Sequence, residues 1–322
     1  MAGQLPGMTV NPLRKAYSAA ILYAVIIGFS FIFVKLTLAV SHPVDMLAHR
    51  FTISFGIALL LVFAGNNRPR FKLGDILRLL PLAIFYPSLF FAFQAYGLFY
   101  ISSSEAGIIQ ATIPILTMIM AAYFLKEHST LLQISCIFLS VLGVVYIFVM
   151  KGAHMSPGDF KGSVFILLSA LSSAAYNVIA RKMSRKYRAM DITVMMMGIG
   201  FVVFNSMSIV RHVSEGSLGQ YFEPFADLTF VVSIIYLGVM SSLVTSFLNN
   251  YALTYMEASQ MGVFINFSTL VTIAAGVVVL KEQLAYFYFI GAIFIIGGVV
   301  GTNVLALKKA RLLQDLGGSK RE

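Results

Sequence analysis

Residues 96–107, Tyr-Gly-Leu-Phe-Tyr-Ile-Ser-Ser-Ser-Glu-Ala-Gly, return 155 positions later as residues 251–262, Tyr-Ala-Leu-Thr-Tyr-Met-Glu-Ala-Ser-Gln-Met-Gly. Tyr96, Leu98, Tyr100, Ser104 and Gly107 fall on Tyr251, Leu253, Tyr255, Ser259 and Gly262. The same register carries Thr117 onto Thr272, Leu125-Lys126-Glu127 onto Leu280-Lys281-Glu282, and Gly143-Val144-Val145 onto Gly298-Val299-Val300. The 50 positions from 96 to 145 thus hold 12 identities without a gap. A composition this biased gives about four by chance. Self-similarity of this kind reads as two copies of one structural unit.

Working outward from this stretch, the chain divides into long apolar runs near 16–38, 46–64, 76–98, 106–125, 131–150, 163–180, 192–210, 228–251, 259–280 and 285–307. A helix of about 20 apolar residues crosses a hydrocarbon core. The runs are continuous rather than alternating, which favours helices over a barrel. Ser169, Ser172, Ser173 and Asn177 dilute the sixth. Five spans per copy is an odd number, so the second copy enters the membrane upside down. The expected fold is an all-α polytopic membrane protein, its ten transmembrane helices arranged as two inverted five-helix repeats. The expected organisation is a cytoplasmic tail at 1–15, a first repeat at 16–151, a second at 160–307 and a tail at 308–322.

Composition agrees. Of 322 residues, 59% are hydrophobic and 11% charged, whereas soluble domains carry about 25% charge. The net charge of +10 invites a nucleic-acid reading. That reading fails because the basic residues stand in short clusters between apolar runs. With the N-terminus in the cytoplasm and the spans alternating, 17 Lys and Arg fall inside and 5 outside, and Arg50 lies within a span. The positive-inside rule therefore predicts both termini in the cytoplasm. A single cysteine, Cys136, leaves no internal disulfide and no Cys-based metal site. No cofactor or metal is expected.

Polar groups inside apolar runs are costly and mark either interhelical bonds or a wet cavity. The cavity candidates are Ser30 in span one, Tyr86 and Gln94 in span three, Gln110 and Pro114 in span four, and Tyr176 and Asn177 in span six. Ser242, Asn249 and Asn250 in span eight and Asn266 and Thr269 in span nine complete them. Pro114 removes a backbone donor near Gln110, and broken helices at midplane are a common binding device. His49 and Arg50 are an ionisable pair inside span two. Arg50 either snorkels, pairs with a helix end, or attracts an anionic group of a substrate; His49 is a candidate for coupling. Glu105 completes Ser102-x-x-Glu105, a capping box that can also titrate. All 13 Asp and Glu fall in tails, loops or helix ends, so no midplane carboxylate relay is expected. Gly297-x-x-x-Gly301 permits close helix contact, within a monomer or in a homodimer through spans five and ten.

Two five-span repeats, a Lys or Arg closing spans one and six (Lys35, Arg181), Ala48-His49-Arg50-Phe51 in span two, and Lys-Glu closing spans four and nine resemble EamA-type members of the drug/metabolite transporter superfamily. The resemblance covers about 16–307. Two departures stand out: Lys126 and Lys281 occupy positions where the family often has Gly, and the chain has no Trp where the family often has one early in spans one and six. The resemblance implies a central cavity lined by spans one to four and six to nine, with five and ten peripheral. It implies a multi-pass protein of a bacterial cell membrane. The expected function is secondary transport of a small metabolite, such as an amino acid or related amphipathic solute, by alternating access, as export or exchange. The competing readings are a membrane-embedded enzyme, a non-transporting scaffold or sensor, and an ion channel. The enzyme reading lacks HExxH, P-loop and paired membrane carboxylates; the channel reading lacks a filter-like repeat. The expected partners are the solute and the lipid bilayer, not nucleic acid.

Overall fold

A computed structural model of the chain describes residues 12–64, 73–124, 131–152, 156–256, 258–298 and 300–301. The first and last tails and the Lys126-Glu127 pair lie outside this set. The helices are α1 (Pro12–Leu38), α2 (Pro43–Ala64), α3 (Leu73–Ala83), α4 (Phe90–Tyr100), α5 (Ser103–Gln110) and α6 (Ile113–Phe124). Then come α7 (Leu131–Gly152), α8 (Pro157–Met183), α9 (Ala189–Glu215), α10 (Leu228–Ile235), α11 (Thr245–Tyr255) and α12 (Ala258–Val279), with α13 over Tyr286–Gly298. The described residues contain no strand.

Among the described residues, seven helical segments have the length and apolarity to cross a membrane, and three shorter apolar helices accompany them, at Ile134–Ile147, Phe267–Val279 and Tyr286–Gly298. The bundle's outer face is apolar: Leu60, Phe63, Tyr123 and Val278 are 66–81% exposed. Water does not tolerate a girdle of that extent, but lipid does. The chain is an integral, multi-pass membrane protein.

Three apolar runs are not single α-helices. Run three is α3 joined to α4 through a π-helical turn at Ile84–Leu89, where Tyr86 is non-helical (φ −144°, ψ 119°) ahead of Pro87. A residue before proline is pushed to extended geometry by the proline ring. Run eight is α10 joined to α11 through a π-helical turn at Tyr236–Val244. Shifted by 155, the first turn falls inside the second. Run four breaks at Ala111–Thr112, between α5 and α6, because Pro114 offers no N–H to the carbonyl of Gln110. Thr112 Oγ1 donates to the Ile109 carbonyl at 2.8 Å and so satisfies part of the break. The chain reverses at Ile101 (φ −118°, ψ 169°) and at Met256 (φ −116°, ψ 154°), again 155 positions apart.

Close packing rests on small residues. Gly97 and Gly162 face each other where α4 crosses α8; a Cβ on either would lie 3.2 or 3.1 Å from the other's carbonyl oxygen. Gly143 of α7 and Gly291 of α13 do the same at the periphery. The expected Gly297–Gly301 motif behaves differently: nothing lies within 4 Å of Gly297, and Gly301 faces the Cys136 thiol. The main core is rich in aromatics, including Phe31, Phe51, Phe90, Phe91, Phe204 and Phe230. It is drawn from α1 to α5, α8, α9, the α10–α11 unit and α12.

Candidate functional site

At the centre, α1, α4, α5, α6, α8 and α12 enclose a cavity. Tyr23, Ile27, Phe31 and Phe90 form its apolar wall, and Gln110, Ser173, Ser268, Thr269 and Thr272 its polar one. Its free volume is about 10 Å³, room for about one water molecule. The break between α5 and α6 places Gln110 at this wall. Its Nε2 donates to Ser169 Oγ at 3.4 Å, and Ser169 donates to the Phe90 carbonyl at 3.0 Å. Thr272 donates to the Gly28 carbonyl at 3.0 Å and Thr269 to that of Gly107 at 3.3 Å. Both contacts need glycine, since a Cβ on Gly28 would strike Val271 and one on Gly107 would strike Thr272.

Of the residues singled out in the sequence, Gln110 and Thr269 lie on the cavity wall. Ser30 donates to the Ile27 carbonyl of its own helix at 2.7 Å. Pro114, Gln94 and Asn177 are buried nearby in the bundle. The side chain of Asn266 lies outside the described set. Tyr176, Asn249 and Asn250 come together in one buried network. Tyr176 donates to Asn250 Oδ1 at 2.8 Å, Asn249 Nδ2 donates to the Tyr176 oxygen at 3.2 Å, and Asn250 Nδ2 donates to Thr193 at 3.2 Å. Tyr86 stacks on Tyr176 at 4.6 Å and touches Phe90 and Phe91. An aromatic path thus runs from the cavity wall to the non-helical turn.

Beyond that path stands Arg50, 1% exposed. Its Nε donates to Ser242 Oγ at 2.6 Å, and its Nη2 donates to Ser241 Oγ at 2.9 Å and to the Ser241 carbonyl at 3.3 Å. The guanidinium carbon lies 4.1 Å from the Phe91 ring centre. It does not snorkel to the surface, and among the described residues it pairs with no carboxylate. His49 donates through Nε2 to the Tyr221 carbonyl at 3.0 Å and sits in a ring of Tyr221, Phe222, Phe225 and Phe230. It fastens the Gly216–Asp227 connection over the start of α2.

One end of the bundle is closed by two charged clamps. Glu282, between α12 and α13, accepts from the backbone N–H groups of Ser103 and Ser104 at 2.8 and 2.9 Å and from their hydroxyls at 2.7 and 2.5 Å. Four donors at the start of α5 converge on one carboxylate, where the helix dipole also favours negative charge. Burial pushes the Glu282 carboxyl up, but the Ser104 and Ser103 hydrogen bonds outweigh it and hold it below the ordinary value. Ser102 caps the same helix through the Glu105 N–H at 3.1 Å, and the Glu105 carboxylate accepts from Ser163 at 3.1 Å, joining α5 to α8. In the second clamp, Asp45 of α2 pairs with Arg211 and accepts from Ser208 at 2.5 Å. His212 Nε2 stands 3.3 Å from Asp45 Oδ1, the oxygen that also accepts from Ser208. At the opposite end, an open recess of about 360 Å³ is lined by Arg185, Lys186, Arg188, Tyr251, Thr254 and Tyr255.

Sequence reasoning missed the Asp45–Arg211–His212 clamp. Asp45 in the first turn of α2 and His212 in the last turn of α9 each read as ordinary helix-dipole partners, and only packing of α2 on α9 joins them. The described residues hold no group of three or more His, Cys, Asp and Glu placed to bind a metal.

A sequence model described as the EamA-like transporter family matches residues 14–149 and again 160–304. This chain belongs to the EamA-like transporter family. It is similar to "Uncharacterized transporter YcxC" of Bacillus subtilis (strain 168), with 53% identity over 304 residues, covering 94% of this chain and 97% of the relative. An "Uncharacterized transporter" of Archaeoglobus fulgidus is 27% identical over 259 residues, covering 80% of this chain and 87% of the relative. A solved crystal structure superposes with a TM-score of 0.63 over 92% of this chain and 98% of that one, at 16% identity. That likeness concerns the fold alone. With this family membership, the protein is a membrane transporter of the EamA type.

Proposed function

We propose that this EamA-family protein is a secondary carrier that moves a small amphipathic metabolite, such as an amino acid or a related solute, by alternating access, as export or exchange. The observation that carries the reading is the central cavity, closed down to about one water molecule in this state. It has one apolar and one polar wall, and it borders the α5–α6 break. Cavities of that composition at interrupted helices are where carriers bind solutes. The ten-span inverted repeat is part of the proposal. The 155-residue register of the π turns and chain reversals, the double match of the family model, and the three shorter apolar helices beside the seven long ones support it. The charge distribution supports cytoplasmic termini, which puts the Glu282 and Asp45 clamps on the far side of a bacterial cell membrane. A carrier shut there and recessed at the other end is in one of two required states.

Counterflow in proteoliposomes tests the reading. Vesicles preloaded with individual amino acids and related solutes should accumulate the matching labelled solute, and Thr269→Val should slow it with normal protein yield. Equal counterflow in protein-free vesicles for every solute would sink the carrier reading.

A further inference from the structure

Arg50 stands seven residues into α2, about 10 Å from the helix start at 1.5 Å per residue. Its charge is buried, and among the described residues no acid pairs with it. The phenols of Tyr86 and Tyr236 act on it electrostatically, and none of the ion pairs among the described residues includes it. Other arginines are treated differently: Arg211 meets Asp45 and Glu215, and Arg78 meets Asp75. A buried cation is costly unless a charge of opposite sign and full hydrogen bonding compensate it. Two hydroxyls, a carbonyl and one aromatic face compensate it only in part.

A purely mechanical role does not explain the expense. One turn further along α2, Ser54 already ties the helix to the same π turn by donating to the Gly238 carbonyl at 2.6 Å. A neutral group suffices for that task. The arrangement of Arg50 is more specific. Nε and Nη2 form the side-on edge of the guanidinium, which takes the two oxygens of a carboxylate in parallel hydrogen bonds. Here Ser242 Oγ and Ser241 Oγ occupy that edge, at 2.6 and 2.9 Å. Two neutral oxygens stand where two carboxylate oxygens would stand. From this edge the rings of Phe91, Tyr86 and Phe90, with centroids 4.8–5.0 Å apart, lead to the cavity wall.

Resting on the carrier reading, we infer that the transported solute bears a carboxylate, which displaces Ser241 and Ser242 from the Nε–Nη2 edge of Arg50 while the apolar body of the solute lies along Phe91, Tyr86 and Phe90. The serines hold the cation while the carrier is empty, and the solute supplies the missing charge.

The test uses the full chain, purified, and a panel of amino acids and aliphatic and aromatic monocarboxylates, each paired with its own primary amide. The readout is the rise in thermal unfolding midpoint with solute concentration. The expected result is that acids stabilise the protein and their amides do so at least about ten-fold more weakly. Arg50→Lys should retain the acid preference at reduced affinity, and Arg50→Gln should abolish it. Ser241→Ala/Ser242→Ala should preserve it, because the acid replaces those hydroxyls. A structural role alone would lower every midpoint and leave the acid-to-amide ratio unchanged. If Arg50→Gln does not fold, the wild-type ratio and Arg50→Lys decide the matter. The inference is overturned if amides bind as well as acids, or if no acid of the panel binds. Counterflow separates the two readings: flux of solutes without acid preference overturns the inference alone, and acid binding without flux of any solute overturns the carrier reading alone.

Discussion

The carboxylate of Glu282 caps the helix that begins at Ser103, 179 positions earlier in the chain, through the Ser103 N–H at 2.8 Å and the Ser104 N–H at 2.9 Å. One loop residue of the second half thereby seals a helix of the first. The two serine hydroxyls double the contact. Glu282→Gln should lower the unfolding free energy in detergent by about 1–2 kcal/mol, since it weakens charge-assisted bonds at a half-exposed site.

That contact also sets a pH dependence. The folded-state pKa of Glu282 is lowered from 4.5, so its contribution is present above that value and is lost as pH falls through the lowered one. On acidification below about pH 4.5 the wild type should lose stability more steeply than Glu282→Gln. Parallel melting curves of the two proteins against pH would refute this.

Lys281 holds a left-handed backbone, φ 53°, just before the cap. A side chain costs about 1 kcal/mol in that region and glycine costs nothing sterically. Lys281→Gly should therefore leave stability unchanged or raise it by up to about 1 kcal/mol, the gain trimmed by the added freedom of the unfolded chain. Lys281→Val, β-branched, should lower it. Chemical denaturation of the three proteins checks the order.

Gly276 lies beneath the same clamp, where an added Cβ would fall onto Ser104 Oγ and Glu282 Oε2. Gly276→Ala should cost about 1–3 kcal/mol through displacement of the cap. The double variant with Glu282→Gln should cost less than the sum, because both changes disrupt one contact. Additive losses would show that Gly276 acts elsewhere.

The Asp45–Arg211 pair closes α2 onto α9. A double-mutant cycle of Asp45→Asn and Arg211→Gln should give a coupling of at least about 1 kcal/mol, more than an exposed pair, because Asp45 is 6% exposed. Under the proposed topology the Gly216–Asp227 connection beside this pair faces outward. On a Cys136→Ser background, an impermeant thiol reagent should reach Gly219→Cys from outside intact cells and fail to reach Lys186→Cys. The opposite pattern would invert the orientation.

The sequence by itself determined the helical, membrane-spanning class of this protein. Long apolar runs with few charges leave no other way to satisfy backbone hydrogen bonds in lipid. It also pointed to the break in run four, since Pro114 acts locally on its own backbone, whereas the π turns at Ile84–Leu89 and at proline-free Tyr236–Val244 appeared only in the structure. The family followed from short motifs and from the 155-residue register, which the π turns and the reversals at Ile101 and Met256 share. Tertiary structure decided which polar residues meet. Asn249, Asn250 and Tyr176 read as cavity candidates one by one, yet they satisfy one another across α8 and α11. Arg50 had three open fates, and only the packing of α2 against the second π turn put Ser241 and Ser242, rather than water or an acid, at its edge. Glu282 read as a loop residue because its partners lie 178 and 179 positions away. A sequence records which side chains carry charge and where the backbone must bend. Which charges are compensated depends on distances between helices far apart in the chain, and only the packed bundle fixes those.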